Sequence, residues 1–344
     1  MQNKGYIRWA WATLIVIFLV ILAGSLVRMT GSGMGCPDWP RCFGYLIPPT
    51  ELEQVLWQPD KAYFEGQMIV HEDVLYESKV GFTSTNAFNA SNWAEYTQHD
   101  YATFNAKHTW IEYINRLIGA LSGLFALVLF FWTALRFFKQ KSDGMQLFLA
   151  FFLLPLLGFQ AWLGKTVVDS NLAPAKITAH MFGALAIVAV LLYLIKRAQR
   201  STSKKLHKSV QVWALLAFVL VLVQIYLGTG VRQYVDLMVK YPEKSWLGDL
   251  SLHSQLIFKL HRSFAWVVLA SCGWLIYKAR QAGLFSATYS AMLIVLVLEV
   301  VVGIVLAWLE LPAPAKPAHL MLASILFSLL FWVLIGQPKD AKAN

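Results

Sequence analysis

Charged residues are scarce in this sequence, and their scarcity excludes an ordinary soluble fold. Asp, Glu, Lys and Arg make up 14% of the 344 residues, whereas a soluble globular domain has about 25%. Apolar residues make up 58%, and they fall in blocks of about twenty, the length at which a helix crosses a hydrocarbon core of about 30 Å. The sequence therefore predicts an all-α polytopic membrane protein.

Eight such blocks predict eight transmembrane helices. The predicted spans are Ile7–Val27, Ile111–Phe137, Met145–Val168, Ile177–Lys196, Ser209–Val231, Leu256–Tyr277, Ser286–Trp308 and Ala318–Ile335. The first apolar run is longer than the roughly 7–15 residues of a cleaved signal peptide, so we interpret it as a retained helix.

Acidic residues are also fewer than basic ones, 19 against 29, which gives a formal net charge of +10. About half of the basic residues flank the spans on the side of the N-terminus, whereas the long segment 29–110 on the other side is mainly acidic. The positive-inside rule therefore predicts that both termini are cytoplasmic. The basic excess also favours anionic lipid headgroups, and no nucleic-acid partner is needed to explain it.

The chain repeats itself. Gln160 and Glu299 each stand twenty residues before a histidine, His180 and His319 respectively. Because each copy has an even number of spans, the two copies share one orientation and are related by an axis along the membrane normal. The prediction is a parallel repeat of two pseudo-twofold-related four-helix bundles.

The predicted bundles divide the chain into residues 1–200, which include the outer loop 29–110, and residues 201–344. Three of the eight histidines lie inside predicted spans, and all three fall near the outer face: His180, His261 and His319. Ionisable side chains inside a membrane are candidates for function, although a single histidine there can also be an interhelical hydrogen-bonding group.

Imidazole binds zinc, copper and haem iron. Zinc or copper favours three or four clustered ligands, whereas the repeat pairs His261 with His319, which suits the two axial positions of a haem. The first half is not a copy, because Asn115 stands where the repeat would place a histidine.

His108, Glu112 and Asn115 lie along one face of the predicted second helix. Glu112 is either a general base or substrate-orienting group, or an interfacial carboxylate in water. Beside the histidine layer, Arg116 and Arg262 favour pairing with carboxylates of a haem, with snorkelling towards headgroups as the alternative.

Cysteine is rare, with three residues in all. Cys36 and Cys42 follow the first span and are separated by five residues, so they can close a short disulfide loop. That loop is either a structural clip or a redox-active pair. The remaining segment 43–107 has no strong apolar period, which predicts a functional or partly disordered loop, and its histidines, His71 and His99, are given no role.

Two stretches resemble the heme A synthase family. The first runs Gly24-Ser-Leu-Val-Arg-Met-Thr-Gly-Ser-Gly-Met-Gly-Cys-Pro-Asp-Trp-Pro-Arg-Cys42, and it is similar to the family's first outer segment. The second, Glu112-Tyr-Ile-Asn-Arg116, is similar to the family's Glu-x-x-His-Arg motif. His180, His261-Arg262 and His319 fit the other family histidines, so the resemblance extends over all eight spans.

The resemblance implies an oxidoreductase that acts on a CH or CH2 group. It would oxidise the C8 methyl of heme O to the formyl group of heme A, through a hydroxylated intermediate, for cytochrome c oxidase. His261, His319 and Arg262 would bind a haem b cofactor, whereas His180 and Glu112 would belong to the substrate haem site. The expected location is the bacterial inner membrane with the haem sites near its outer face, and the expected partners are heme O synthase and cytochrome c oxidase assembly factors.

The sequence departs from this family pattern at Asn115. Either His180 alone holds the substrate haem, or His108 supplies the second ligand from two turns away, which would require the helix start to unwind. Two other classes stay open: a bis-histidine haem b protein that transfers electrons between a quinone and the periplasm, and a parallel-repeat transporter. Asn115 argues against the first, which predicts two equivalent sites.

Overall fold

Eight long helices form most of the part of the chain that the structure describes. The structure, a computed structural model, describes residues 4–97, 104–140, 143–170, 172–199, 207–240, 255–309 and 311–336. The helices are α1 (Lys4–Met29), α2 (Ala106–Gln140), α3 (Gly144–Asp169), α4 (Pro174–Gln199), α5 (Lys208–Lys240), α6 (Leu256–Gln281), α7 (Ala287–Trp308) and α8 (Ala315–Leu334). Each predicted span coincides with one of them.

Among the described residues, seven helices are long and apolar enough to cross a membrane. The remaining helix, α6, is as long as α1, since each has 26 residues. His261 and Arg262 near the start of α6 lower its mean hydropathy. The prediction of an all-α integral membrane protein is confirmed. The largest extensions beyond the predicted spans are those of α2, which begins at Ala106, and α5, which continues to Lys240.

The helices pack in the same order in both halves of the chain. α1 packs on α2 and α3 on α4, and correspondingly α5 packs on α6 and α7 on α8. α1 also contacts α4, as α5 contacts α8, while α8 packs against both α1 and α4 and so joins the halves. This order of contacts agrees with a parallel repeat.

Prolines set the start of the two helices that carry the repeated histidines. Pro174 is the first residue of α4 and Pro314 immediately precedes α8. Proline suits a helix start, because its missing N–H would have no partner there and its fixed φ matches the helix. His180 and His319 therefore both lie between one and two turns from the start of their helices.

The segment between α1 and α2 contains regular structure, which the lack of a strong apolar period in the sequence did not predict. It contains β1 (Ala62–Tyr63), β2 (Met68–His71), β3 (Val74–Ser78), β4 (Phe82–Thr83) and β5 (Trp93–Glu95). β1 pairs with β4, and β2, β3 and β5 form a three-stranded antiparallel sheet. We call residues 43–97 the cap and the membrane face that carries it the cap side.

An aromatic cluster stabilises the cap. Tyr63, Ile69 and Trp93 are buried at its centre, and His71 stacks on Phe88 with ring centroids 4.0 Å apart. His71 thus serves in packing. His99 lies outside the described residues, as do several basic residues used in the topology argument: Lys141, Arg200, Lys204, Lys205, Lys339 and Lys342.

Candidate functional site

The candidate site contains four residues at equivalent positions of the repeat, which we call the ligand layer. They are Asn115 in α2, His180 in α4, His261 in α6 and His319 in α8. Each faces a glycine of the helix that precedes it in the chain: Gly24, Gly164, Gly228 and Gly303, respectively. A Cβ atom at these glycines would lie 3.1 to 3.9 Å from the facing side chain. Glycine therefore lets one helix backbone pass close beside each of the four side chains.

His261 and His319 face each other in the second half. Their ring centroids are 6.3 Å apart and their planes are inclined at 82°. A metal–imidazole bond is about 2 Å and the ring centre lies about 1 Å behind the nitrogen, so two rings on opposite sides of one metal have centres about 6 Å apart. The separation of the two rings would therefore suit a pair of histidines that hold one haem iron between them.

Glu299 of α7 pairs with the Nδ1 side of His319. The carboxylate leaves Nε2 as the ring nitrogen that can bind a metal, and an acceptor on the opposite nitrogen fixes the tautomer and orientation of a ligand imidazole. Gln224 of α5 contacts the helix that carries His261. Its Nε2 donates a 3.0 Å hydrogen bond to the backbone carbonyl of His261, which links α5 to α6 beside the His261 ring.

His180 of the first half has different surroundings. Its Nδ1 is buried and has no hydrogen-bond partner among the described residues. Gln160, which corresponds to Glu299 in the repeat, lies instead against Gly183, where a Cβ would overlap its Nε2 atom. The Oε1 of Gln160 and the Oδ1 of Asn115 are likewise buried without a partner in this part of the chain. Buried polar atoms without a hydrogen-bond partner among the described residues occur in both halves, since His261 Nδ1 and Gln224 Oε1 share this property. The described halves differ in the carboxylate of Glu299, which lies beside His319.

Glu112 and Arg116 attach the disulfide loop, residues 36–42, to α2. The Arg116 guanidinium donates to Glu112 Oε1 at 2.6 Å, and the backbone N–H of Cys36 donates to Glu112 Oε2 at 2.9 Å. Arg116 also donates to the carbonyls of Cys36, Asp38 and Arg41. Both residues therefore have partners within the protein, and Glu112 is almost completely buried.

The disulfide between Cys36 and Cys42 is present, as predicted. Both cysteines are buried in a cluster with Phe43 and Met68 of the cap. Asp38 holds the loop closed, because its carboxylate accepts hydrogen bonds from the backbone N–H groups of Phe43 and Gly44 at 2.6 and 2.8 Å. Burial raises the pKa of Asp38 above its usual range.

Gly35 allows this loop to lie against the first turn of α2. A Cβ there would come within 2.5 Å of the His108 carbonyl group, and Thr109 Oγ1 donates to the Gly35 carbonyl at 2.7 Å. α2 is helical without interruption from Ala106, so the unwound start that would bring His108 to the position of Asn115 is not present.

Arg262 differs from its counterpart Arg116. It is exposed, with its guanidinium carbon 5.8 Å from the centre of the Phe258 ring, and the described part of the chain gives it no carboxylate partner. Within the described residues, Arg262 thus has no carboxylate beside it, whereas the guanidinium of Arg116 is engaged by Glu112 and the disulfide loop.

No group of three or more His, Cys, Asp or Glu side chains is arranged to hold a metal ion in the described ranges. A structural zinc site has four protein ligands and a catalytic one has three. Two histidines that face each other between membrane helices, with a carboxylate behind one of them, instead define an integral membrane protein with a site suited to a haem.

The chain belongs to the cytochrome oxidase assembly protein family (COX15-CtaA), whose model matches residues 7–99 and 81–331. The family resemblance of the sequence is thereby confirmed. Similar curated proteins are each named heme A synthase. The protein of Bartonella tribocorum is 23% identical over 361 residues, which cover 96% of this chain and 92% of that protein.

Two further relatives carry the same name. The protein of Wolbachia pipientis wMel is 21% identical over 362 residues, with 99% of this chain and 95% of that protein covered. The protein of Shewanella oneidensis is 29% identical over 219 residues, with 63% of this chain and 53% of that protein covered.

The sequence left the contacts around the ligand layer undefined. The repeat spacing had already singled out Glu299, but the contact between its carboxylate and the His319 ring is visible only in the structure. Gly164, Gly228 and Gly303 stand in the repeated segments, so the repeat itself was the signal for their function. Nothing in the sequence indicated a function for Gln224, because its side chain contacts a backbone carbonyl, that of His261.

Proposed function

We propose that this protein is a heme A synthase, an oxidoreductase that converts the C8 methyl of heme O into the formyl group of heme A through a hydroxylated intermediate. Its membership of the cytochrome oxidase assembly protein family and the names of its relatives support this function. The observation that carries the proposal is the pair of facing rings, His261 and His319, with centroids 6.3 Å apart.

In this proposal, residues 201–344 hold a haem b cofactor, which supplies one-electron redox chemistry when it is bound. His261 and His319 are the iron ligands, and Glu299 keeps the His319 ring oriented through Nδ1. Arg262 binds a haem propionate, because its exposed guanidinium has the planar geometry that matches a carboxylate.

Residues 1–200 hold the substrate haem at His180, next to Asn115. Arg116 and Glu112 act on this site by fixing the disulfide loop over the start of α2. Glu112 enters the proposal as a positioning residue, since Arg116 and the Cys36 N–H already occupy both of its oxygens. Its earlier assignment as a general base stays a prediction, as does a ligand function for His108.

The proposed location is the bacterial inner membrane, with both termini in the cytoplasm and the cap outside. The four-residue layer then lies near the outer face, where the disulfide of Cys36 and Cys42 meets an oxidising compartment. The proposed partners are an enzyme that supplies heme O and the assembly machinery of cytochrome c oxidase, which receives heme A.

The test is to extract and identify haems from membranes in which the full chain is expressed together with a heme O source. Heme A or its hydroxylated precursor should appear with the unaltered protein and disappear with His261→Ala. A matched control is His207→Ala, because His207 lies at the opposite end of the bundle, where it contacts Ser209. Bound haem b with unchanged heme O would instead favour an electron-transfer protein.

A further inference from the structure

Asn115 occupies, in the first half, the place that His261 occupies in the second. His261 lies on α6 with its ring against Gly228 of α5, and Asn115 lies on α2 with its amide oxygen 3.9 Å from a Cβ position on Gly24 of α1. The helix pairs α1–α2 and α5–α6 pack in the same way. The substitution therefore changes the chemical group at this position and preserves the backbone that presents it.

A carboxamide is not equivalent to an imidazole as a metal ligand. Imidazole binds iron through a basic ring nitrogen, whereas the Asn side chain offers a carbonyl oxygen and an NH2 group that donates hydrogen bonds. The Asn115 Oδ1 is buried and unpaired within the described ranges, so this side chain points a hydrogen-bonding group into the layer without a protein partner.

The groups that could replace the missing ligand either have other contacts or lie too far along the helix. Glu112, one turn away, is bound by Arg116 and by the Cys36 N–H. His108 lies seven residues from Asn115 on an uninterrupted helix, about 10.5 Å along its axis. The amide of Gln160 lies against Gly183.

From this arrangement we infer that the first half gives a haem iron one protein ligand, His180, and leaves the opposite position, beside Asn115, open to a small exogenous ligand such as a diatomic gas or water. The inference rests on the proposed function, since it takes the first half to bind a haem. It makes the two halves chemically different: the histidine pair of the second half closes both axial positions, and the first half keeps one accessible.

The inference is tested on the full chain, purified in detergent after expression with a heme O source. The readouts are the spin state of the ferric protein by electron paramagnetic resonance and the carbon monoxide difference spectrum of the ferrous protein. The unaltered chain should contain a low-spin and a high-spin species, and carbon monoxide should bind to about half of the haem.

Two substitutions of Asn115 test whether carbon monoxide binding depends on an open iron position or on the Asn115 amide. Asn115→His should restore a second ligand, so that the high-spin signal and at least nine-tenths of the carbon monoxide binding disappear. Asn115→Leu cannot bind iron and should retain carbon monoxide binding. Low-spin spectra throughout and no carbon monoxide binding in the unaltered chain would overturn the inference.

The variant His180→Ala distinguishes a failure of the inferred open iron position from a failure of the proposed function. If the first half binds haem, His180→Ala lowers the haem content by about half, and the remaining haem is the low-spin species of His261 and His319. If haem content and spectra are the same with and without His180, the first half holds no haem, and both the substrate site and the inference are wrong. A lowered haem content without any high-spin species in the unaltered chain would overturn the inference alone.

Discussion

The Glu112 carboxylate accepts the backbone N–H of Cys36 at 2.9 Å, across 76 residues of sequence. Together with its 2.6 Å ion pair to Arg116, this hydrogen bond makes the disulfide loop and the start of α2 one structural unit. The loop that carries the two cysteines is therefore held directly above the helix that carries Asn115.

Removing the Glu112 carboxylate should loosen the disulfide loop. Glu112→Ala leaves the Cys36 N–H and part of the Arg116 guanidinium unpaired in a buried place, at a cost of about 1–3 kcal/mol for such groups. Glu112→Gln retains one acceptor and should have a smaller effect. The measurement is the rate at which a dithiol reduces the disulfide, which we expect to rise in the order Glu, Gln, Ala.

A matched control exists for this prediction. Asp169→Ala removes an i,i+4 ion pair of the same type, with Lys165, but both of its side chains are about 40% exposed. Exposed pairs contribute about 0–1 kcal/mol, so the reduction rate should not change. Equal rates for Glu112→Ala and the unaltered protein would mean that Arg116 alone holds the loop.

Gly228 should be intolerant of a side chain. A Cβ there would lie 3.1 Å from His261 Cε1, so the ring would have to shift by a few tenths of an ångström from its position opposite His319. Gly228→Ala should therefore lower the fraction of low-spin haem, measured by electron paramagnetic resonance after expression with haem. Gly119→Ala is the control, because the described structure has no atom within 4 Å of that Cβ position, and Ala should stabilise that helix by up to about 1 kcal/mol. A normal spectrum for Gly228→Ala would contradict the pairing.

Glu299 should control how tightly His319 binds iron. Glu299→Gln replaces the carboxylate at Nδ1 with a neutral amide, and loss of such a partner typically lowers metal affinity by about 10- to 100-fold. We expect a corresponding loss of haem b, measured by titration of the haem-depleted full chain with haem b. Gln160→Ala, at the repeat-related position, should leave this titration unchanged, because Gln160 Oε1 and His180 Nδ1 have no hydrogen-bond partner among the described residues. Unaltered affinity in Glu299→Gln would assign the Glu299 contact to helix packing alone.

Asp38 should make the stability of the disulfide loop depend on pH. Because burial raises the pKa of Asp38 in the folded protein, the folded state keeps a proton that the unfolded chain has lost between the ordinary aspartate pKa and the raised one. The free energy of unfolding therefore decreases as pH rises through this interval and is constant above it.

Hydrogen–deuterium exchange of residues 36–45, corrected for the intrinsic pH dependence of exchange, measures this effect. Asp38→Asn should abolish the dependence, and it should also speed exchange at every pH, because an amide nitrogen cannot accept the second backbone N–H. Persistence of the dependence in Asp38→Asn would assign it to another group.

The eight described helices were predictable because they contain apolar runs of about the length that crosses a bilayer, a property of consecutive residues, although the hydropathy of α6 is lower than that of the other seven. The strands of the cap were missed for a local reason. The turn between β2 and β3 is formed by Glu72 and Asp73, both with positive φ, where Asn-Gly would have been the recognisable signal. The aromatic cluster that stabilises the sheet joins residues as distant as Tyr63 and Trp93, and such contacts leave no periodic pattern.

The ligand layer was predictable in composition, because the repeat relates Asn115 to His261 and His180 to His319. Which side chains contact one another was decided by the tertiary structure. The repeat makes Glu299 and Gln160 equivalent in sequence, yet Glu299 pairs with His319 whereas the Gln160 amide lies against Gly183.

The sequence by itself therefore determined the membrane-spanning class, the repeat, the disulfide and the residue types of the layer, since hydrophobic length and spacing are properties of the chain. Only the tertiary structure decided that Arg116 is engaged and Arg262 is exposed, that Glu112 anchors a loop, and that Asn115 faces the layer unpaired. These outcomes depend on packing between distant segments, where burial makes each unsatisfied polar group costly and so selects its partner.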